Sequence, residues 1–214
     1  MDDKIAAKKR NNKRFWDLYA RVYDFEINRF SGNAYRKMYR LMADSLSADM
    51  DVLEVATGTG LIAVHIAAHA RRIEAIDYSP KMIEKAKRKQ APGNVRFSVE
   101  DATSLSFPDG TFDAAIISNA LHIMPEPERA LASISRALKP NGLLIAPSYS
   151  HGHLRESAWN LSGKIANLFG FETYSKWTPE EYIEFIRQNR FRVENWQVLR
   201  AAFPLVYVEA RKAG

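Results

Sequence analysis

Residues 52–60 read Val-Leu-Glu-Val-Ala-Thr-Gly-Thr-Gly, and residues 73–77 read Ile-Glu-Ala-Ile-Asp. Both are short apolar runs, and the residues between them, from about Thr59 to Ala70, carry the spacing of a helix. A strand, a helix and a second strand in this order make a crossover unit, which joins parallel strands with right-handed connectivity. A further helix opens at Ser79-Pro80. Ser79 suits the cap, Pro80 the first helical position, and Met82, Ile83 and Ala86 the buried side.

The same alternation continues outward. Strands are predicted at 95–100, 113–118 and 143–148, with a helix carrying Ala130, Leu131, Ile134, Ala137 and Leu138 between the last two. The runs at 114–117 (AAII) and 143–146 (LLIA) lack polar alternation, as strands covered by helices on both faces do, so the class is α/β and doubly wound. Towards the end, Leu154, Ala158, Leu161 and Ile165 form a helical stripe. Thr178-Pro179-Glu180-Glu181 is a capping box for a helix with Tyr182, Ile183 and Ile186, and strands follow at 193–199 and 205–211. Ahead of the core, Phe15, Leu18, Tyr19, Val22 and then Tyr35, Met38, Tyr39, Met42 repeat at i, i+3, i+4, i+7 and predict two covering helices.

Composition agrees with one compact domain: 214 residues, 46% hydrophobic, with Gly and Pro too few for a flexible linker. The absence of cysteine excludes disulfides, thiolate metal sites and a cysteine nucleophile. No apolar run approaches a membrane span and the first ten residues lack the apolar stretch of a signal peptide, so a cytoplasmic location is expected. The formal charge of +6 sits entirely in the first 40 residues, which hold eleven Lys and Arg against five acidic residues. Such an arm could meet nucleic acid, anionic lipid or an acidic substrate, although its charges alternate with apolar positions as on a solvated helix face.

Glycines at 58 and 60, between the first strand and helix, let the backbone turn tightly beside a ligand at the carboxyl edge of the sheet. Gly58-Thr-Gly60-Leu-Ile-Ala63 also satisfies the dinucleotide pattern GxGxxA, and Asp77 at the end of the second strand could accept from both hydroxyls of a ribose. Either a dinucleotide or another nucleoside cofactor fits these residues; Asp77 could equally serve as a turn residue before Ser79-Pro80. The pairs His65/His69 and His151/His153 have no evident third ligand, so no metal is expected.

Further along, residues 99–113 (VEDATSLSFPDGTFD) and 137–148 (ALKPNGLLIAPS) join residues 52–60 and 74–89 (EAIDYSPKMIEKAKRK) as four ordered motifs. In these motifs the chain resembles the class I S-adenosylmethionine-dependent methyltransferases, in the small-molecule group related to the ubiquinone and menaquinone biosynthesis enzymes. The resemblance implies a Rossmann-like, seven-stranded, mostly parallel sheet with an antiparallel last strand, and a single domain. Residues 1–47 would form a helical cap, 48–148 the cofactor-binding core and 149–214 lid helices with the last two strands. It implies S-adenosyl-L-methionine as cofactor and S-adenosyl-L-homocysteine as product. Glu54, Ala56, Gly58 and Gly60 would lie along the methionine and ribose portion, Asp77 on the ribose hydroxyls with Tyr78 beside it, and Met82 against adenine. Asp101 would accept from the adenine amino group, the Ala102 amide would donate to the ring, and Asn119 would lie beside the methionyl part. Two departures stand out: Ala56 replaces a frequent glycine, and Asn189-Arg190-Phe191 lacks the usual glycine before Phe.

A sulfonium methyl donor needs chiefly alignment and exclusion of water. His122, beyond the fourth strand, and Tyr149, after the fifth, are the candidate catalytic residues, His122 as general base or pocket wall. Of the aromatic group Phe15, Trp16, Tyr19 and Tyr23, Tyr19 or Tyr23 is expected as a lid over the sulfonium. The reading is methyl transfer to a small-molecule acceptor, with a homodimer open and no stable nucleic-acid partner expected. The alternatives are a nucleic-acid methyltransferase using the basic N-terminal helices, an NAD-dependent oxidoreductase, and a non-catalytic binder. Lack of cysteine speaks against thiolate-mediated arsenite or cytosine C5 methylation, and Ser118-Asn119-Ala120-Leu121 is not the Pro-Pro-aromatic motif of base-amine methylation.

Overall fold

The computed structural model describes residues 2–20, 32–150, 173–200 and 204–214. Two helices, α1 (Asp2–Tyr19) and α2 (Gly32–Asp44), precede β1 (Asp51–Val55), α3 (Leu61–Ile66), β2 (Arg72–Asp77), α4 (Pro80–Arg88), β3 (Val95–Val99) and β4 (Phe112–Ile117). There follow α5 (Pro127–Ala137), β5 (Leu138–Ile145), β6 (Ser148–Tyr149), α6 (Pro179–Gln188), β7 (Phe191–Leu199) and β8 (Leu205–Lys212). Short 3-10 turns sit at Ala67–His69 and Leu121–Ile123.

The strands form one sheet in the order β3-β2-β1-β4-β5-β8-β6, with β7 paired to β8. β1 lies between β2 and β4, parallel to both, with Val52 opposite Ile73 on one side and Ala114 on the other. β8 runs antiparallel to β5 and β7. The doubly wound α/β expectation therefore holds, with one addition: Ser148, expected as the last residue of the fifth strand, forms with Tyr149 a separate short strand paired to β8, making eight strands.

Alternate β1 residues serve opposite faces. Leu53 and Val55 join Leu131 and Ile134 of α5 and Ile183 and Ile186 of α6. Val52 joins Met38 and Met42 of α2, Ile62 and Ile66 of α3, and Ile83 of α4. Burial of each such side chain stabilises by roughly 1.5–3 kcal/mol, which is why strands apolar on both faces end up central.

Boundaries moved where local signals misled. The helix expected from Thr59 begins at Leu61, because Gly60 is in the left-handed conformation (φ 77°), and it tightens into a 3-10 turn after Ile66. β5 begins at Leu138, five residues early: Lys139-Pro-Asn-Gly142 reads as a turn, yet Leu138 pairs with Phe112 before the register shifts to Ala114 opposite Leu143. Arg190, where glycine is usual, takes φ 69° between α6 and β7. The Thr178 capping box is present, both reciprocal bonds made. The predicted stripe from Leu154 to Ile165, and Val22, lie outside the described residues.

Candidate active site

β1 leads into Ala56, Gly58 and Gly60, all left-handed (φ 55°, 57° and 77°). The turn is tied down internally. Thr57 N donates to the Ile76 carbonyl at 2.8 Å, Gly60 N to the Thr57 carbonyl at 3.0 Å, and Lys89 Nζ to the Thr59 carbonyl at 2.6 Å. Asp77, at the end of β2, accepts from Gly58 N at 2.9 Å and from Ser79 N at 2.8 Å. Its carboxylate thus joins the turns after β1 and β2, a role between the two foreseen for it.

A cavity of about 140 Å³ opens above this junction, at the carboxyl ends of β1, β2, β3 and β4 where the strand order reverses. Ala56 and Gly58 line it from the first turn, with Asp77, Tyr78, Ser79 and Met82 from β2 and α4. Glu100, Asp101, Ala102 and Thr103 contribute from beyond β3, and Ser118, Asn119 and Ala120 from beyond β4. The wall continues through Ile123, Met124, Pro125 and Glu126, and α1 adds Lys13 and Trp16. Asp101 accepts from Thr103 N and Oγ1 at 2.8 and 2.7 Å, which orients its carboxylate at the cavity wall.

Gly60 and Glu54 do not line the cavity. A Cβ on Gly60 would stand 2.7 Å from the Phe97 ring, so this glycine admits the close packing of turn and β3. Glu54 is buried, and among the described residues neither of its carboxyl oxygens nor the Thr57 hydroxyl makes a close, well-aligned hydrogen bond, although the Thr57 side chain and the Ala63 amide lie near enough to favour the carboxylate. Burial pushes the Glu54 carboxyl up to about 8, against the opposing pull of the Thr57 hydroxyl and the Ala63 amide, with the nearby Asp77 charge adding a smaller rise. Burial likewise raises Asp77, to about 6, against the opposing pull of the Ser79 and Gly58 amides.

α1 lies over the mouth, fastened to α4. Ser79 Oγ, which caps α4 by accepting from Met82 N at 3.1 Å, donates to Asp17 at 2.5 Å, and Lys85 Nζ donates to the Ala20 carbonyl at 2.7 Å. Lys13 Nζ sits 5.6 Å from the Tyr78 ring centre. Tyr19 is stacked on Phe15 and edge-on to Trp16, away from the lining, while Trp16 itself reaches it; Tyr23 lies outside the described residues.

Asn119 is left-handed too (φ 53°), and its side chain is engaged with the fold. Nδ2 donates to the Tyr35 hydroxyl at 2.9 Å and Oδ1 accepts from Tyr149 N at 3.1 Å, while the Tyr35 and Tyr149 hydroxyls meet at 3.2 Å. His122 is buried with Nδ1 3.2 Å from Ser148 Oγ, and its carbonyl accepts from the Tyr174 and Ser175 amides. His122 and Tyr149 therefore stand behind the Asn119 corner and outside the lining. His151 and His153 lie outside the described residues.

Sequence reasoning did not foresee Lys13, Tyr35 or Glu126 here. Tyr35 reads as one member of an apolar stripe, and only its hydroxyl partner 84 residues away distinguishes it. Among the described residues no group of three or more His, Asp or Glu is placed to hold a metal ion.

Four carboxylates, Asp77, Glu100, Asp101 and Glu126, face the cavity against one lysine. A dinucleotide needs turn amides and positive charge for its pyrophosphate. Here the amides of Thr57, Gly58 and Gly60 are already bonded within the protein. The acceptors suit a nucleoside carrying a cationic tail: Asp77 and Asp101 can take hydroxyl and amino donors, and Met82 and Ala102 offer apolar walls.

Comparisons with known proteins agree with this chemistry. Residues 53–146 match a family model described as "Methyltransferase domain". A demethylmenaquinone methyltransferase of Renibacterium salmoninarum is 36% identical over 151 residues, covering 70% of this chain and 60% of that protein. A ubiquinone/menaquinone biosynthesis C-methyltransferase of Geotalea daltonii is 28% identical over 206 residues, covering 88% and 87%. The chain spans 60% and 54% of the length of the first two demethylmenaquinone methyltransferases it matches. The fold is shared with a SAM-dependent methyltransferase from Aquifex aeolicus, at a TM-score of 0.67 and 17% identity over 92% of this chain and 98% of that one.

Proposed function

We propose that the chain is a class I methyltransferase related to the ubiquinone/menaquinone biosynthesis C-methyltransferases, a reading its similarity to them supports, and that it moves a methyl group from S-adenosyl-L-methionine to a small, ring-bearing acceptor of the quinone type. The observation that carries the reading is the pair Asp77 and Asp101, at the ends of adjacent strands and facing one acidic cavity.

When bound, the cofactor supplies an electrophilic methyl group on a sulfonium centre. Asp77 would accept from the ribose hydroxyls and Asp101 from the adenine amino group, with Tyr78, Met82 and the Ala102 amide along the nucleoside. The backbone at Ala56 and Gly58 would follow the methionyl portion, with Gly60 and Glu54 supporting the turn from beneath. Trp16 and Lys13 line the mouth from a helix latched to α4, and would help to keep water from a bound cofactor. Holding two reactants in line can supply roughly 7–11 kcal/mol, so little side-chain chemistry is obligatory. Asn119 forms the corner between the nucleoside end and the Ile123–Glu126 wall, and Tyr35 and Tyr149 hold that corner, with His122 behind it against Ser148. A proton lost by the acceptor would go to His122 or Tyr149 only if the acceptor reaches past Asn119 to hydrogen-bond distance. The names of the relatives support a quinone ring carbon as the methylated atom.

Calorimetric titration with S-adenosylhomocysteine and with NAD tests the cofactor: heat with the first and none with the second is expected, and the reverse refutes the reading. Incubation with S-adenosylmethionine and a demethylmenaquinone analogue, followed by mass spectrometry, tests the acceptor; no gain of a methyl group refutes the quinone class.

A further inference from the structure

The uneven charge of this chain has a direction in the structure. α1 is held in one rotation about its axis, because Lys13 and Trp16 turn to the cavity while Asp17 and Ala20 bond to α4. Arg10, Arg14 and Leu18, four apart, are left as one stripe on the outer side of the helix. Both arginines are exposed and neither has an acidic partner among the described residues. Leu18, at 59% exposure, leads the large apolar side chains on the described surface. α4, packed beside α1, adds exposed Lys87 with no acidic partner among the described residues, while its Lys81 and Arg88 share Glu84.

We propose that the outer face of α1 docks the protein on an anionic lipid surface, with Arg10 and Arg14 on the headgroups and Leu18 at the acyl boundary. The same helix roofs the cavity, so docking would set its mouth against the membrane; that consequence rests on the proposed lipid-soluble acceptor, whereas the docking does not. A helix with arginines and an exposed leucine on one face has the character of an interfacial anchor. Nucleic acid could use the arginines but gains nothing from Leu18. The α1 aromatics that would stack on bases are instead packed on one another, Phe15 against Tyr19 and both against Trp16.

The test is sedimentation of the full chain with phosphatidylcholine vesicles and with vesicles also containing phosphatidylglycerol, at low and high salt, beside titration with single-stranded RNA. Binding to the anionic vesicles alone, weakened by salt, is expected. Arg10→Ala/Arg14→Ala should lower the partition about 30-fold, and Leu18→Ser should lower it at high salt, where charge is screened. None of these three side chains lines the cavity, so S-adenosylhomocysteine affinity should stay at the wild-type value and report a folded protein. Equal binding to neutral vesicles, no effect of the arginine pair, or tighter binding to RNA than to anionic vesicles would each overturn the proposal. A chain that docks but binds no nucleoside would overturn the proposed function and leave this one standing.

Discussion

Replacing Glu54 by Gln should make the ligand-free protein more stable above about pH 5, by an amount that grows up to about pH 8. The Glu54 carboxyl is buried with no well-aligned hydrogen bond among the described residues, and burial, outweighing the pull of Thr57 and the Ala63 amide, raises it from 4.5 to about 8. Between those two values the native state holds a proton that the unfolded chain has released, so stability is complete below about 4.5 and declines as pH rises through about 8. The slope is about 1.4 kcal/mol per pH unit, giving roughly 3–5 kcal/mol across the window. Gln has nearly the same shape and no charge to bury. Wild type and variant should match near pH 5 and diverge by that amount near pH 9, as read by urea unfolding without ligand. Asp77, raised from 3.8 to about 6, adds a decline of the same sign at lower pH in both proteins, so it largely cancels in their difference. A difference that stays constant with pH would show that Glu54 is solvated or paired in the folded protein, and the account of its burial would fail.

Gly60→Ala combines a left-handed backbone with a Cβ 2.7 Å from the Phe97 ring, and should destabilise by about 2–5 kcal/mol in the same assay; a loss under ~1 kcal/mol would mean the turn readily shifts. Ala56→Gly goes the other way: it relieves an L-residue at φ 55°, and a gain of about 1 kcal/mol is expected, an unchanged midpoint counting against strain there. Asp77→Ala should weaken S-adenosylhomocysteine by about 1–3 kcal/mol in calorimetry, through lost hydroxyl contacts and the freed Gly58 and Ser79 amides. Unchanged affinity would put the ribose elsewhere.

What the sequence determined by itself is what short-range rules encode. Apolar runs at 52–55 and 114–117 specify buried parallel strands, Ser79-Pro80 and Thr178-Pro179 specify helix starts, and Asp77 and Asp101 fall at strand ends by counting. Even there the start of the fifth strand was hidden, because Lys139-Pro-Asn-Gly142 loops out, with Asn141 at φ 58°, between the Leu138–Phe112 and Leu143–Ala114 pairs. Tertiary structure alone decided which side chains share the cavity. Gly60 packs on Phe97 while Gly58, two residues earlier, faces the ligand side. Trp16 reaches the lining where neighbouring Tyr19 does not, because the bonds of Asp17 and Ala20 to α4 set the rotation of α1. Asn119 owes its environment to Tyr35 and Tyr149, 84 and 30 residues distant. Such pairings depend on relative positions of elements, and those arise from packing two faces of a sheet at once, a constraint with no period along the chain.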